Sequence, residues 1–322
     1  MITLNRRKFV KGSVALATVP LISWAEDSEY PTHPIEIVVP SSAGGGTDIV
    51  TRIFAETCKK YLSQPITVVD KPGASGVIGM SDVINAKPDG YKLCTIITEI
   101  AILPSLGLTK YTHNDFIPIA QLNADPAAIT VRADAPWNTI EEFLKDAKKS
   151  PKSIKVGNSG NGSIYQLAHV ALADKVAVQF NGIPFQGSAP AIVALLSGYI
   201  DAVSVSPGEV SAHVASGKLK TLAVMSVQRV KGFEHVPTFK ERKIDLSIGA
   251  WRGLGAPSNT PSYIINKLRE VAKNTANDPA FKESLDKVNL GFTYRDSNDF
   301  GQFMERDSVF FKNIISKINF KA

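Results

Sequence analysis

Short apolar runs rich in β-branched residues alternate with amphipathic segments in the first third of the chain. The apolar runs predict three strands, at residues 35–40, 66–70 and 91–97. Between them, apolar residues recur at three- and four-residue steps, which predicts helices over 49–62 and through 83–84. Thr47 or Asp48 is the expected cap of the first helix. This alternation predicts an α/β protein with a largely parallel sheet and helices on both faces.

The same alternation restarts after residue 150. Predicted strands at 153–157, 176–183, 200–205 and 219–225 alternate with predicted helices at 163–173, 189–196 and 210–215. Two longer helices follow at 262–277 and 298–318, and we expect both to pack on the first part of the chain. We therefore predict two lobes, the first formed by 26–125 and 248–322 and the second by 126–247.

Composition and charge fit an ordinary globular protein of 322 residues, with 44% hydrophobic and 20% charged residues. The formal net charge is +6, but residues 1–25 hold Arg6, Arg7, Lys8 and Lys11 and no acid, which leaves +2 for the remainder. A chain this close to neutral after residue 25 lacks the basic surface of a nucleic-acid-binding protein.

The first 25 residues have the layout of a signal peptide. A basic start is followed by an apolar stretch over 12–24, and small residues (Ser23 and Ala25) occupy the positions that signal peptidase inspects. The paired arginines favour the twin-arginine route, although such pairs also occur in general secretory signals. We expect cleavage near Ala25 and a periplasmic protein without a membrane anchor, because no second apolar stretch is long enough to span a bilayer.

The two cysteines and five histidines do not suggest a metal centre. Cys58 and Cys94 each lie in an apolar pattern, and we favour two buried thiols over a disulfide. The histidines show no spacing typical of zinc ligands. We predict neither a metal nor a cofactor.

Three loops rich in glycine and serine each follow a predicted strand and open a predicted helix, at residues 41–48, 157–163 and 186–190. The first amides of a helix have no internal partner, and the helix dipole is positive there, so such an end can bind an anion. A single loop of this kind is most simply a capped turn. Three of them at the carboxyl ends of strands predict one anion site if the lobes face each other.

The loops lack the motifs of common enzyme classes. Neither a nucleotide phosphate loop, nor a dinucleotide fingerprint, nor a Gly-x-Ser-x-Gly elbow occurs in them. Glu99 follows the third predicted strand at the same sheet edge as the first loop. An acid there could bind a ligand ammonium or hydroxyl group, and Glu99 is kept as a candidate ligand-binding residue. Contact with solvent or a local cap is nevertheless the interpretation that we favour.

Several motifs, taken in order, resemble those of the Bug-type substrate-binding proteins of tripartite tricarboxylate transporters. They lie at 30–40, 43–48, 71–76, 88–91, 187–191, 217–219 and 251–261 and cover essentially the whole mature chain. The resemblance implies a two-lobed periplasmic binding protein, or Venus flytrap, with a mostly parallel sheet in each lobe. It also implies that the chain starts in one lobe, crosses to the other and returns.

The resemblance further implies a small carboxylate ligand held by loop amides and ordered water. Carried over by position, one end of the ligand would contact Ser41, Ser42, Ala43, Gly44, Gly45, Gly46, Thr47 and Asp48, and the other Ser159, Gly160, Asn161, Gly162, Ser163, Gly187 and Ser188. Ser206 is a further candidate, beside Val205 where many relatives carry an aspartate. Gln166 and Gln186 stand where relatives often have histidine and lysine, and these departures leave the ligand's identity open.

Taken with this resemblance, the sequence predicts a solute receptor, not an enzyme, that works as a monomer, and the resemblance implies that it hands its ligand to a membrane transporter. A periplasmic sensory protein for a receptor kinase remains an alternative, and a periplasmic hydrolase is a less favoured one. Citrate, a dicarboxylate, an amino acid and an aromatic acid all remain open as ligands.

Overall fold

A computed structural model describes residues 30–318 and 320. The predicted signal peptide lies outside these residues, so its cleavage and export route stay predictions. The strands are β1 (Ile35–Val39), β2 (Ile66–Asp70), β3 (Lys92–Ile97), β4 (Phe116–Pro126), β5 (Ala128–Arg132), β6 (Lys155–Asn158), β7 (Asn181–Pro184), β8 (Ala202–Val205), β9 (Leu219–Val224), β10 (Gly249–Pro257) and β11 (Phe292–Arg295). The helices are α1 (Gly46–Cys58), α2 (Val77–Ile84), α3 (Ile140–Lys149), α4 (Ile164–Lys175), α5 (Ser188–Leu196), α6 (Pro207–Ala215), α7 (Ser262–Asn277), α8 (Pro279–Lys287) and α9 (Ser297–Lys317).

The strands form two sheets, and the sheets with their helices are the two lobes. The first sheet has the order β11-β4-β10-β3-β1-β2 and the second the order β7-β6-β8-β5-β9. This arrangement confirms the predicted two-lobed α/β fold. At the centre of the first lobe, Ile35, Ile37, Val38 and Val39 of β1 are fully buried, because neighbouring strands and helices cover both faces of the strand.

The prediction of mostly parallel sheets is wrong in detail, because both sheets are mixed. In the first lobe β1 pairs in parallel with β2 and β3, whereas β10 runs antiparallel between β3 and β4. In the second lobe β6 pairs in parallel with β7 and β8, whereas β5 runs antiparallel to β8 and β9. The antiparallel pairs come from β4, β5 and β10, for which the sequence analysis assigned no strands.

Two local predictions also need correction. The N-cap of α1 is Gly45, and Thr47 and Asp48 lie inside the first turn of the helix. The strand predicted at 176–183 is reduced to β7, because α4 runs to Lys175 and Ala177 adopts a left-handed conformation with φ +53°. The two late helices are confirmed as α7 and α9, and both pack against β4 in the first lobe.

The chain passes between the two sheets at two places that lie side by side. It leaves the first sheet at Ala127, between β4 and β5, and returns over the segment from Met225 to Ile248. Met225 N–H donates to Ala127 O at 2.7 Å, Ala127 N–H to Ile248 O at 2.8 Å, and Ile248 N–H to Met225 O at 3.1 Å. These three residues therefore form a narrow hydrogen-bonded connection between the lobes.

Candidate ligand-binding cavity

A cavity of about 260 Å³ lies where the loops of the two lobes meet. It is bounded by segments at the carboxyl ends of β1, β2, β3, β6 and β7, where ligands bind in open α/β sheets. From the first lobe it is lined by residues 40–41, 47, 72–76, 97–99 and 250–252, and from the second by 159–161, 164–165, 184–188 and 209. The structure thus brings parts of all three predicted loops to one cavity.

The first loop contributes only its two ends to the cavity surface. Ser41 and Thr47 line the cavity, whereas the remaining candidates in this loop are not part of the lining: Ser42, Ala43, Gly44, Gly45, Gly46 and Asp48. The Asp48 carboxylate turns back to accept a hydrogen bond from Gly44 N–H at 2.8 Å and pairs with Arg52. Asp48 therefore stabilises the shape of the loop rather than facing the cavity.

The second loop presents Ser159, Gly160 and Asn161 to the cavity and keeps its last two residues for the helix that follows. Ser163 is the N-cap of α4, with its hydroxyl accepting from Gln166 N–H at 3.2 Å. Gly162 N–H donates to Gln166 Oε1 at 2.6 Å. Gly162 and Ser163 thus shape the start of α4 without lining the cavity.

The third loop brings the lobes into close approach. Gly187 and Ser188 both line the cavity, and Gly187 N–H donates to Ser159 O at 3.2 Å. Gly187 has φ +115°, and an added Cβ would lie 2.2 Å from Ser42 Oγ in the opposite lobe. Only glycine fits this position as the structure has it, both for its conformation and for the space.

One loop that lines the cavity, residues 72–76, was not among the predicted ligand-binding residues, although it belongs to the motif at 71–76. This loop follows β2 and lines the cavity from the first lobe. Ser75 Oγ donates to Asn161 O in the second lobe at 2.6 Å. A glycine-rich turn after a strand was the available signal, and it was the same signal that identified the other three loops.

Ser206 is buried beside the cavity and serves a helix. It is the N-cap of α6, in a reciprocal arrangement with Glu209, whose carboxylate accepts from both Ser206 N–H and Ser206 Oγ at 3.0 Å. Ser206 is not part of the cavity lining, but Glu209 is.

Glu209 is a buried acid that the sequence analysis did not single out. Its Oε2 also accepts from the Tyr165 hydroxyl at 2.7 Å, and its Oε1 accepts from Gly46 N–H at the start of α1 in the other lobe at 2.9 Å. Burial opposes the charged form, but Arg252 and these hydrogen bonds hold the pKa of Glu209 below its ordinary value. Glu209 is therefore an ionised group that joins the two lobes.

Arg252 supplies the positive charge of this cluster, and its side chain is only 3% exposed. Its Nη1 donates to Asp125 Oδ2 at 2.9 Å and Asn123 Oδ1 at 2.6 Å, its Nε donates to Thr47 Oγ1 at 3.1 Å, and its Nη2 lies 3.6 Å from Glu209 Oε1. Burial works against the charge, but the surrounding acids raise the pKa of Arg252 above its ordinary value. An added Cβ at Gly46 would lie 2.5 Å from Nη2, so glycine at the start of α1 makes room for the guanidinium group.

Glu99 mirrors Glu209 from the first lobe. It lines the cavity, is 6% exposed, and its Oε1 accepts from Ile164 N–H, at the start of α4 in the second lobe, at 3.1 Å. Burial raises the pKa of Glu99 above its ordinary value, against the opposing effects of this hydrogen bond, of a hydrogen bond from its own amide and of Arg252. The expectation that Glu99 contacts solvent is therefore wrong, since Glu99 is buried and its carboxylate accepts from the start of a helix of the other lobe as well as from its own amide.

The thiols are buried as predicted, and both cysteines are free. Burial raises the pKa of Cys58 to about 12, so this thiol stays protonated at neutral pH. Among the described residues, no group of three or more His, Cys, Asp or Glu side chains could hold a metal ion.

Comparisons with known proteins agree on one class. The family model described as the tripartite tricarboxylate transporter family receptor matches residues 50–320. A solved structure of a TctC solute-binding protein from Polaromonas, without ligand, is 55% identical and has a TM-score of 0.67, covering 90% of this chain and all of that one. The structure of the periplasmic binding protein BugD is 29% identical with a TM-score of 0.87, covering 91% of this chain and 99% of that one. MatC from Rhodopseudomonas palustris with bound malate is 26% identical with a TM-score of 0.84, covering 88% and 99%.

Two lobes with a cavity between them that carries charged and polar side chains are typical of a solute-binding protein, and the comparisons identify its kind. The chain belongs to the receptor family of tripartite tricarboxylate transporters. The resemblance to Bug-type proteins is thereby confirmed. Within residues 30–318 and 320, no helix has both the length and the apolar character needed to cross a membrane.

Proposed function

We propose that the protein is an extracytoplasmic receptor that binds a small carboxylate in the cavity between its lobes. The observation that carries this proposal is the cavity itself, which carries charged and polar side chains, is built by both lobes and reaches the opening residues of α1, α4 and α5. A relative of the same fold holds malate, a small carboxylate. Helix N-termini favour anions without needing a free cationic side chain.

We expect the ligand carboxylate to lie at the start of α5. The first amides of α1 and α4 already bond to Glu209 and Glu99, through Gly46 and Ile164. The first turn of α5 has no acidic residue and its N-terminus has no side-chain cap, and Gly187 and Ser188 line the cavity there. Further ligand contacts are expected from the lining residues Ser41, Thr47, Ser159, Gly160 and Asn161.

Binding is proposed to stabilise a closed arrangement of the lobes, which turn about the connection at Ala127, Met225 and Ile248. On this proposal the lobes are 26–125 with 248–322, and 126–247. The unliganded Polaromonas protein has a TM-score of only 0.67 at 55% identity, whereas malate-bound MatC reaches 0.84 at 26%. Sequence similarity alone would predict the opposite order, so a difference in lobe orientation is the simplest explanation.

We further propose that the protein acts in the periplasm after removal of residues 1–25, as a monomer, and delivers its ligand unchanged to membrane transporter subunits. The receptor family to which it belongs supports the transport role. Within the described residues, the cavity lining contains no histidine, cysteine or lysine. The serines that face the cavity therefore have no histidine in the lining to activate them as nucleophiles.

The proposal is tested by titrating the exported protein with malate, citrate, aspartate and benzoate, and measuring melting temperature and small-angle scattering. One carboxylate is expected to stabilise the folded protein by about 2.7 kcal/mol at a hundredfold excess over its Kd, and to reduce the radius of gyration. Stabilisation of a similar size by the corresponding neutral amides would contradict carboxylate recognition.

A pair of glycine variants tests the closure step. Gly187→Ala places a methyl group against Ser42 of the opposite lobe, whereas Gly217→Ala also has positive φ but nothing within 4 Å. Gly187→Ala is expected to weaken ligand binding at least tenfold and to abolish compaction, and Gly217→Ala to leave both unchanged. Equal ligand affinity in the two variants would argue against closure over the ligand.

A further inference from the structure

Glu99 is the starting point, because it is a carboxylate on the wall of a cavity proposed to bind a carboxylate. It extends from the first lobe just beyond β3 and is almost completely buried. A buried charge is costly unless it is paired or hydrogen-bonded. The partners that each charged group of the cavity already has therefore determine what the ligand must provide.

Among the described residues, three charged side chains line the cavity, and the cation of the three is already neutralised. Arg252 contacts Asp125 directly and lies near Glu209, so two acids share its charge. Glu209 is served by four hydrogen-bond donors: Gly46 N–H, Tyr165 O–H, Ser206 N–H and Ser206 O–H. Neither side chain needs a ligand group to be stable in the closed arrangement.

Glu99 differs from both in its number of partners. A carboxylate offers about four acceptor positions, and Glu99 receives hydrogen bonds from two backbone amides: that of Ile164, at 3.1 Å on Oε1, and its own. The pKa of Glu99 is raised for the same reason, since the cost of burying its charge outweighs the stabilisation by its few hydrogen bonds and by Arg252. A ligand donor beside Glu99 would supply a charge-assisted hydrogen bond, whereas a second ligand carboxylate would meet a like charge.

We propose that Glu99 selects small carboxylates that carry a hydroxyl or ammonium donor, and disfavours ligands that offer only further carboxylates. This inference rests on the proposed function and specifies its substrate class. The ligand carboxylate lies at the start of α5, and its donor group points toward Glu99. The cavity of about 260 Å³ lies slightly below the range of about 300–1,000 Å³ usual for ligand pockets, which fits a short acid of this kind.

The test uses two matched sets of acids: butyrate, 2-hydroxybutyrate and 2-aminobutyrate, and succinate, malate and aspartate. Members of a set differ only in the group on the second carbon, so the hydroxyl and ammonium donors are compared separately. Binding to the exported protein is measured by calorimetry at one pH and ionic strength. In at least one set, a donor-bearing acid is expected to bind about 10-fold to 100-fold more tightly than the plain acid, the size of one hydrogen bond to a charged group.

The matched variants are Glu99→Gln and Glu56→Gln. Both remove one negative charge, but Glu56 lies on the surface with its side chain 74% exposed. Glutamine at position 99 keeps an acceptor for Ile164 N–H, and the melting temperature without ligand checks that the variant is folded. Glu99→Gln is expected to reduce the preference for the donor-bearing acid at least tenfold and to bind succinate as well as wild type or better, while Glu56→Gln retains the wild-type preference.

The failures of the two proposals are distinguishable. If carboxylates bind but plain acids bind as tightly as their donor-bearing partners, or if Glu99→Gln keeps the wild-type preference, the role of Glu99 is overturned while the receptor function stands. If no carboxylate of either set or of the earlier panel binds, the proposed function fails, and the selectivity inference fails with it.

Discussion

Glu99 and Glu209 are two buried glutamates that make the same contact from opposite lobes. Glu99 extends from the first lobe to the N-terminus of α4, and Glu209 extends from the second lobe to the N-terminus of α1. Glu209 has four donors and an arginine nearby, and its pKa is lowered, whereas burial raises the pKa of Glu99.

The comparison shows that burial of an acid does not by itself indicate its role. Glu209 is a structural connection, because the protein supplies the partners that its charge requires. Glu99 faces the cavity and receives few hydrogen bonds from the protein. The cost of burying its charge is therefore most easily offset by a hydrogen-bond donor of the ligand.

The largest expected effect comes from removing Arg252, the buried cation that contacts Asp125 and lies near Glu209. Arg252→Met leaves the buried acids Asp125 and Glu209 without their positive partner and should lower the free energy of unfolding by about 3–5 kcal/mol. Urea denaturation measures the change. The control is Arg229→Met, which breaks an exposed pair with Glu241 and should cost no more than about 1 kcal/mol. Equal losses in the two variants would show that the buried cluster is not a stabilising unit.

The direct comparison of the glutamates is expected to give a smaller but opposite pair of effects. Glu209→Gln puts an amide group against donors that need an acceptor, and should lower the free energy of unfolding by about 2–3 kcal/mol. Glu99→Gln removes a buried charge that has few hydrogen-bond donors around it, and the glutamine still offers an acceptor to Ile164 N–H. The free energy of unfolding should therefore stay unchanged or increase slightly. Both are measured by urea denaturation at neutral pH without ligand. A greater loss for Glu99→Gln than for Glu209→Gln would reverse our assignment of roles.

The smallest expected effect is a difference between wild type and Glu99→Gln in how stability depends on pH. Since the folded-state pKa of Glu99 is raised, the folded protein holds a proton that the unfolded chain has lost, and stability falls as pH rises from about 4.3 through the raised pKa. Glu99→Gln should remove this part of the decline, measured as melting temperature between pH 4 and 8. Burial also raises the pKa of Asp307, to about 6, and Asp307 is not part of the cavity lining. Asp307 therefore contributes a second decline of stability with rising pH, which Glu99→Gln should retain. Identical pH profiles for wild type and Glu99→Gln would contradict the raised pKa of Glu99.

Much of the fold was accessible from local patterns. β1, β2 and β3 and the helices α7 and α9 were predicted because apolar periodicity is a property of short windows of sequence. β4 and β10 were missed, although they are adjacent in the first sheet, because their antiparallel insertion depends on a crossing and return of the chain that no short window records.

The glycine-rich loops could likewise be predicted as a group, and parts of each reach the cavity. Which of their residues face it could not be predicted, since Thr47 lines it while the neighbouring Asp48 turns back to Gly44. The pairing of Arg252 with Glu209 gave no signal, although Arg252 lies in the motif at 251–261, because a single charged residue in a strand or helix is usually solvated and these two meet only after the lobes come together.

The order of strands, helices and helix-opening loops was thus encoded locally, through residue size, branching and the conformational freedom of glycine. The pairing of charges was decided by tertiary structure alone. Glu209 and Gly46 are 163 positions apart and Arg252 and Thr47 are 205 apart, so their contacts exist only once the fold has joined distant segments. Electrostatic interactions depend on distance and burial in three dimensions, and these are the quantities that separate a satisfied acid from one that still needs a ligand.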